Sequence, residues 1–372
     1  MTEVRLDALC KSFGKTAVVK DLSVTVRQGE FLVLLGPSGC GKSTTLRMIA
    51  GLEDADSGRI LIDGRDVTGL PPSRRGLAMV FQSYALFPHL TVAENIVFGL
   101  RVRRMDRVER DRRLHEVAAM VGLEAHLTRR PAELSGGQRQ RVALARAIAA
   151  RHPLCLMDEP LSNLDARLRH DMRVEIRALQ RRLGMTVIYV THDQIEAMSM
   201  ADRVVLMRDG RIEQQGTPED IYARPETDFV ARFIGTPPMN LIRLADGPRG
   251  AVIAGDDAGL PVLAGPGDGL TLGLRPEQVR LAEALPETGP AGGPATDAGP
   301  VRSRSARVVA VDYHGPDTVV SAGIGGQILQ VRAAGHVPAR MGQEVRLSWS
   351  ANAVHLFGAD GRRRSPSALH PV

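Results

Sequence analysis

The first 235 or so residues switch repeatedly between strand-like and helix-like patterns of apolar and polar positions. Val4–Leu9 and Leu22–Val26 read as short strands. Phe31–Leu35 is a continuous β-rich run, the pattern of a strand buried on both faces. Arg59–Ile62 and Leu77–Phe81 follow as strands, and Thr91–Leu100 and Val108–Val121 as helices. In the second helix Leu114, Val117 and Val121 recur at i, i+3 and i+7. Gln138–Ala150 is alanine-rich and strongly helix-forming. Leu154–Met157 and Thr186–Val190 read as buried strands. Between them Leu164, Leu168, Met172, Ile176, Leu179 and Leu183 mark one apolar face of a helix. Another helix starts near Asp193, and Asp209-Gly210 between Val204–Met207 and Arg211–Gln214 is a hairpin signal. This alternation predicts a mostly parallel sheet with helices packed on it.

The pattern changes after about Gly235. Short alternating runs separated by Gly and Pro follow: Val279–Leu281, Ala306–Val311, Thr318–Ser321, Gln327–Val331, Glu344–Trp349 and Val354–Phe357. They predict an all-β domain with Greek-key or OB-like barrels. The expected division is therefore 1–235 and 236–372. The segment 285–300, rich in Pro, Gly and Ala, is expected to be a disordered insertion or linker, and Gly361–Val372 a loose tail.

Composition narrows the class by exclusion. At 372 residues the chain has room for about two domains. Its 43% hydrophobic and 24% charged residues lie near the soluble average of about 45–50% and about 25%, against wholesale disorder, collagen or a disulfide scaffold. The longest apolar runs are five or six residues, where a membrane helix needs about 20. The N-terminal residues carry acids and no apolar signal core, so a cytosolic protein is expected. Cys10, Cys40 and Cys155 cannot all pair and form no CxxC spacing, which fits small reduced core residues. The net charge of +6 resides almost wholly in arginines scattered among acids, with lysine only at 11, 15, 20 and 42. A solvated mixed surface explains it better than a nucleic-acid face.

Two stretches carry chemistry. Gly36-Pro37-Ser38-Gly39-Cys40-Gly41-Lys42-Ser43 matches G-x-x-x-x-G-K-[ST]. It follows the strand Phe31–Leu35 and opens a helix over Ser43–Ala50. The glycines let backbone amides curl around phosphate oxygens, and the helix start adds its dipole. Lys42 supplies a cation to the β- and γ-phosphates, and Ser43 a hydroxyl to Mg²⁺. The second stretch is Leu154-Cys155-Leu156-Met157-Asp158-Glu159, an apolar strand with two carboxylates at its C-terminal end, where ligands bind in open α/β sheets. Asp158 is suited to hold Mg²⁺, and Glu159 to polarise an attacking water as general base.

With Leu134-Ser135-Gly136-Gly137-Gln138 the chain resembles the ATPases of ABC transporters, whose signature this stretch matches. The family's other elements occur in the family's order over residues 1 to about 235. Phe13 resembles the aromatic that stacks on adenine. Gln82 resembles the Q-loop glutamine that reaches Mg²⁺ and the attacking water. Ser162-Asn163-Leu164-Asp165 resembles the D-loop, and His192 the switch histidine at the γ-phosphate. The resemblance implies a P-loop α/β ATPase domain with a helical subdomain at about 84–135. It implies ATP and Mg²⁺ as cofactors, with Phe13, the loop 36–43, Thr44, Gln82 and Asp158 binding ATP. Ser43, Gln82 and Asp158 would attend the metal, and Glu159, His192 and Gln82 would be catalytic.

The signature sits at the start of the helix Gln138–Ala150, a second ready-made anion site. One chain cannot easily aim both sites at one ATP. The family's arrangement is a head-to-tail dimer with two ATP molecules between protomers. By that resemblance Ser135, Gly136, Gly137, Gln138 and Asp165 serve the nucleotide held by a second copy, and hydrolysis lets the dimer reopen.

Partners follow from the same resemblance: two transmembrane permease subunits, an extracytoplasmic solute-binding protein acting through them, and a site on the cytoplasmic face of the inner membrane. Phe81–Leu90 links the sheet to the helical subdomain, and Tyr84, Leu86 and Phe87 are expected there as exposed apolar contacts for a permease helix. The C-terminal half resembles the OB-like TOBE domain of importer ATPases of the maltose and glycerol-3-phosphate type. That likeness rests on Phe229–Asn240 and Leu272–Glu277, with Val311–Asp317 leaning to glycerol 3-phosphate although His314 and Pro316 depart from the usual residues. A sugar or sn-glycerol 3-phosphate is the expected solute, with polyamine or iron import as alternatives. A soluble ABC protein acting on DNA or ribosomes fits less well, since there is one cassette and no sustained heptads. A nucleic-acid-binding C-terminal domain would need stacking aromatics, and only Tyr313, Trp349 and Phe357 occur beyond residue 240.

Overall fold

The computed structural model describes residues 2–256, 259–283 and 301–365. The segment 285–300 and residues 366–372 of the expected tail lie outside the described residues. Two compact units emerge, Met1–Asp220 and Ile221–Val372.

The first unit opens with β1 (Val4–Phe13), β2 (Thr16–Val26) and β3 (Phe31–Leu35), then α1 (Lys42–Ala50), β4 (Ser57–Ile62), β5 (Arg65–Asp66) and β6 (Leu77–Val80). Three helices follow, α2 (Val92–Val102), α3 (Arg107–Met120) and α4 (Gly136–Ala149). The unit continues with β7 (Leu154–Asp158), α5 (Ala166–Leu183), β8 (Thr186–Val190), α6 (Gln194–Met200), β9 (Arg203–Arg208) and β10 (Arg211–Gly216).

Six strands form one sheet in the order β10-β9-β3-β8-β7-β6. All neighbours are parallel except the β9–β10 hairpin. β3, β7 and β8 are buried at every position, as continuous apolar runs in a helix-covered parallel sheet should be. Because β3, β8, β7 and β6 lie side by side and run the same way, their C-terminal ends line up. The loops after them begin at Gly36, Thr191, Glu159 and Phe81.

A second, antiparallel sheet of order β2-β1-β4-β5 has no counterpart in the sequence reading. β1 and β2 run longer than expected and join in a hairpin across Gly14. Register shifts interrupt their pairing, and Ala8 and Asp21 take positive φ of 49° and 55° there. Leu6, Val24 and Ile60 of this sheet pack with Leu34, Leu156 and Ile188 of the parallel sheet and Leu46, Met48 and Ile49 of α1 in one core.

Within the segment expected to be a helical subdomain, α2 starts on a Thr91–Glu94 capping box and α3 on Asp106, whose carboxylate accepts from Val108 and Glu109 N. One expectation here is corrected. Tyr84 is buried, not exposed. Tyr84 and Ala85 take φ of 64° and 46°, and the Arg146 guanidinium of α4 donates to their carbonyls at 2.8 and 2.6 Å. That clamp turns the tyrosine inward. Leu86 and Phe87 are half-buried, and the Phe87 ring lies 4.3 Å from that of Phe98.

The second unit holds two five-stranded antiparallel sheets. One takes Gly250–Ile253, Asn240–Gly247, Thr271–Leu274, His355–Phe357 and Arg363–Arg364 in that order; the other takes Arg280–Glu283, Glu344–Ser350, Val301–Tyr313, Asp317–Ile324 and Gln327–Ala334. Ile242, Leu272, Val308, Val320, Leu347 and Trp349 share its core. The strand Asn240–Gly247 and the helix Asp228–Phe233 were not anticipated. The Asn240 amide donates to Gln330 O at 2.8 Å and accepts from Gln330 N at 2.7 Å, standing in for a backbone rung. Arg363 and Arg364 pair with Phe357 and Leu356, so the expected tail begins as an edge strand.

Candidate active site

The loop after β3 is shaped by glycines whose conformations other residues rarely adopt. Gly36 and Gly41 have φ of 151° and 102°. A Cβ at Gly36 would stand 2.3 Å from Met207 O, and one at Gly41 2.7 Å from Val18 O, so both positions need glycine for space as well. Gly41 forms the left-handed N-cap of α1, and no side chain caps that helix start. Ser38 and Gly39 are exposed and Pro37 half-buried, whereas Cys40 is buried and its thiol is pushed up in pKa by that burial.

Lys42 is buried, and its ammonium donates to Gly36 O at 2.7 Å and Pro37 O at 2.8 Å. The cation is thereby held under the loop's crown. Ser43 and Thr44 follow in the first turn of α1, half-buried.

The Ser43 hydroxyl donates to Asp158 Oδ1 at 2.8 Å, joining the start of α1 to the end of β7. Asp158 is buried. Glu159, one residue on, leaves the strand with φ 43°, and its amide donates to Val190 O of β8 at 3.0 Å. This left-handed step turns its carboxylate toward the loop after β8. There Glu159 Oε2 lies 3.1 Å from His192 Nδ1. Ser162 Oγ donates to Glu159 O at 2.9 Å, and Gln82 Nε2 to Ser162 Oγ at 3.4 Å. Asn163 Nδ2 donates to the Gln82 carbonyl at 3.1 Å. The ends of β6, β7 and β8 are thus tied together through Gln82, Glu159 and His192.

Ser43 and Asp158, in contact at 2.8 Å, present a hydroxyl and a carboxylate, hard donors that suit Mg²⁺, while the Gln82 amide is engaged with Ser162. Among the described residues no cluster of three His, Cys, Asp or Glu side chains occurs.

Ser135 is the N-cap of α4. Its hydroxyl accepts from Gln138 N at 3.3 Å while Gln138 Oε1 accepts from Ser135 N at 2.9 Å, a reciprocal capping box. A Cβ on Gly137 would meet Leu168 Cδ2 at 2.8 Å, and one on Gly136 Leu164 Cδ2 at 3.3 Å. The start of α4 is therefore seated on Leu164 of the loop before α5 and on Leu168 in the first turn of α5, whose N-cap is Asp165. Among the described residues no hydrogen bond joins Ser135, Gly136, Gly137 or Gln138 to the loop 36–44. Phe13 stands at the tip of the β1–β2 hairpin, 49% exposed, with Lys11 Nζ 5.2 Å from its ring.

Several supporting residues escaped the sequence reading. Tyr189 OH and Thr191 Oγ1 donate to Glu196 Oε2 at 2.8 and 2.7 Å, and Thr191 Oγ1 accepts from Asp193 N at 3.0 Å. Burial pushes the Glu196 carboxyl above its ordinary value. Arg169 Nη2 donates to Leu164 O at 2.9 Å and its Nη1 lies 3.4 Å from Asp193 Oδ2. These contacts fix the segment carrying His192. A tyrosine inside the apolar strand Thr186–Val190 was the available signal, since a buried phenol hydroxyl usually finds a partner.

Comparison with known proteins agrees with this geometry. Residues 19–162 match the ABC transporter family model, and residues 272–357 match the TOBE domain. The chain is 47% identical over 367 residues to the sn-glycerol-3-phosphate import ATP-binding protein UgpC of Brucella abortus biovar 1 (strain 9-941), covering 98% of this chain and 100% of that one. It is 46% identical over 365 residues to the protein of the same name from Rhizobium meliloti (strain 1021), with 98% and 100% covered. Among solved structures it is similar to the ATP-binding cassette MJ0796 as a post-hydrolysis dimer bound to ADP and Pi, at 32% identity and a TM-score of 0.52 over 58% of this chain and 98% of that one. Phosphate loop, aligned carboxylates, capped signature helix and full-length similarity converge: the chain belongs to the ABC transporter family, as an ATP-binding ABC ATPase followed by a TOBE domain.

Proposed function

We propose that this chain is the ATP-hydrolysing subunit of a bacterial ABC importer for sn-glycerol 3-phosphate or a related carbohydrate. The observation that carries the reading is similarity over essentially the whole length, β-rich unit included, to proteins named for glycerol-3-phosphate import.

In the proposed mechanism the amides of residues 36–43 and the Lys42 ammonium bind the β- and γ-phosphates of ATP, and Phe13 stacks on the adenine. Ser43, Asp158 and Gln82 would hold Mg²⁺, which would supply positive charge to neutralise the phosphates. Glu159 accepts a proton from the attacking water, and His192, beside its carboxylate at 3.1 Å, orients it and meets the γ-phosphate. A second copy supplies Ser135, Gly136, Gly137, Gln138 and Asp165 to the same ATP, so binding closes the dimer and hydrolysis releases it. Two permease subunits dock on the 84–135 segment around Leu86, Phe87 and Phe98, and an extracytoplasmic binding protein delivers the solute. The chain works at the cytoplasmic face of the inner membrane; among its described residues no helix is long and apolar enough to span a bilayer.

The test is ATP turnover by the protein with its permeases in lipid while sugars and glycerol 3-phosphate are offered through the binding protein. Stimulation by glycerol 3-phosphate or one carbohydrate is expected. Stimulation by a polyamine or iron instead, or turnover indifferent to every permease, would overturn the solute assignment or the importer reading respectively.

A further inference from the structure

The side-chain amide of Gln138 is held at both of its ends. Its Oε1 accepts from the Ser135 N–H at 2.9 Å, closing the box at the start of α4, and its Nε2 lies 3.2 Å from His126 Nε2. A backbone N–H only donates, so the oxygen of the amide must face Ser135 and the NH₂ must face His126. The NH₂ also only donates, so His126 Nε2 must carry the lone pair. The bond therefore selects the neutral imidazole with its proton on Nδ1. That Nδ1 is buried with no hydrogen-bond partner.

The ring is placed from outside α4. His126 ends the short turn Glu124–His126 that follows α3. Ahead of it Leu123 is fully buried, and its N–H donates to Ala118 O of α3 at 2.9 Å. Behind it Leu127 O and Arg129 O accept from Ala93 N and Val92 N, in the first turn of α2, at 3.0 and 2.8 Å. The imidazole is thus anchored to α2 and α3, and Gln138 bridges that anchor to the Ser135 backbone. The other bond of the box, Gln138 N to Ser135 Oγ, is longer at 3.3 Å. Closure therefore leans on the side-chain amide that His126 orients.

We propose that His126 is a positioning residue for the start of α4: it selects the orientation of the Gln138 amide that keeps the capping box closed until a second copy's nucleotide displaces it. The inference rests on the proposed function, in which Ser135 and Gln138 contact that nucleotide. With His126 present, swinging the Gln138 side chain away breaks two hydrogen bonds, one to Ser135 N and one to the imidazole. Without it the same motion breaks one, and the amide is free to turn. His126 therefore raises the ATP concentration at which two copies close. Among the described residues no hydrogen bond joins His126 to the loop 36–44, so the effect falls on association and not on a copy's own ATP.

The test uses the full-length chain carrying Glu159→Gln, with and without a change at 126, and reads by light scattering the ATP concentration that gives half-maximal dimer. Adding His126→Leu should lower that concentration about two- to tenfold, the equivalent of one lost neutral hydrogen bond. His126→Gln, whose amide oxygen supplies an acceptor again, should return it toward the starting value. A role in packing alone has the opposite sign, since a loosened α4 would need more ATP. An equal or higher requirement for His126→Leu, or no return with His126→Gln, overturns the proposal. A second measurement needs no change at 126 in the observed protein. Nitrogen-15 NMR of the histidine rings, above the ordinary histidine titration range, should find His126 protonated on Nδ1. The Nε2–H tautomer overturns the proposal even where the Leu variant does not fold. No ATP-dependent dimer from Glu159→Gln alone is a distinct failure, which overturns the function on which the proposal rests.

Discussion

Two helices of the first unit begin on glycine-rich sequence, and they treat their first amides in opposite ways. α1 starts on Gly41 in the left-handed region, and no side chain caps it. α4 starts on Ser135, and Ser135 and Gln138 satisfy each other's amides in a closed box. An uncapped helix start keeps its donors and its dipole for an outside anion. A self-capped start must exchange internal hydrogen bonds for external ones. On the proposed reading, nucleotide affinity therefore resides at α1. The α4 end becomes a conditional contact, engaged only when a second copy brings its ATP to it.

That contrast can be sharpened or broken by substitution. Glu159→Gln removes the proposed base while leaving both helix starts intact. Turnover should fall by about 10²–10⁴, while ATP still binds and holds the closed dimer; normal phosphate release by this variant would remove Glu159 from its role. Lys42→Ala empties the α1 end of its cation. ATP affinity by calorimetry should drop about 10–100-fold, the scale of one or two charge-assisted hydrogen bonds, and unchanged affinity would contradict the cradle. The smallest effect belongs to Gln138→Ala, which opens the capping box at α4. Urea unfolding should show a loss of about 1 kcal/mol, with ATP affinity of the monomer unaltered. If that variant lost nucleotide as Lys42→Ala does, the two helix starts would not differ as argued.

What was legible in the sequence was set by whether the physics is local. Phe31–Leu35 and Thr186–Val190 could be read because strands buried on both faces are apolar throughout. The phosphate loop and Asp158-Glu159 could be read because their chemistry sits on consecutive residues. The antiparallel sheet β2-β1-β4-β5 could not, since it depends on which strands pair across tens of residues. Tyr84 was misplaced because its burial rests on a clamp from Arg146, far along the chain. Phe13 has the profile of a core aromatic in an alternating strand and is exposed because the hairpin ends there. Glu196 supports the His192 segment from a helix that carries no motif, so only the contacts of its carboxylate disclose it.

On the proposed function, the capped start of α4 serves a second copy's nucleotide. It is tested most directly by comparing Glu159→Gln with Glu159→Gln/Ser135→Arg, measuring mass by light scattering and bound ATP on the same samples. The expected result is an ATP-dependent dimer for the first, and for the second a monomer that binds ATP as well as before. A double variant that cannot bind ATP as a monomer, or that still dimerises with ATP, would contradict it.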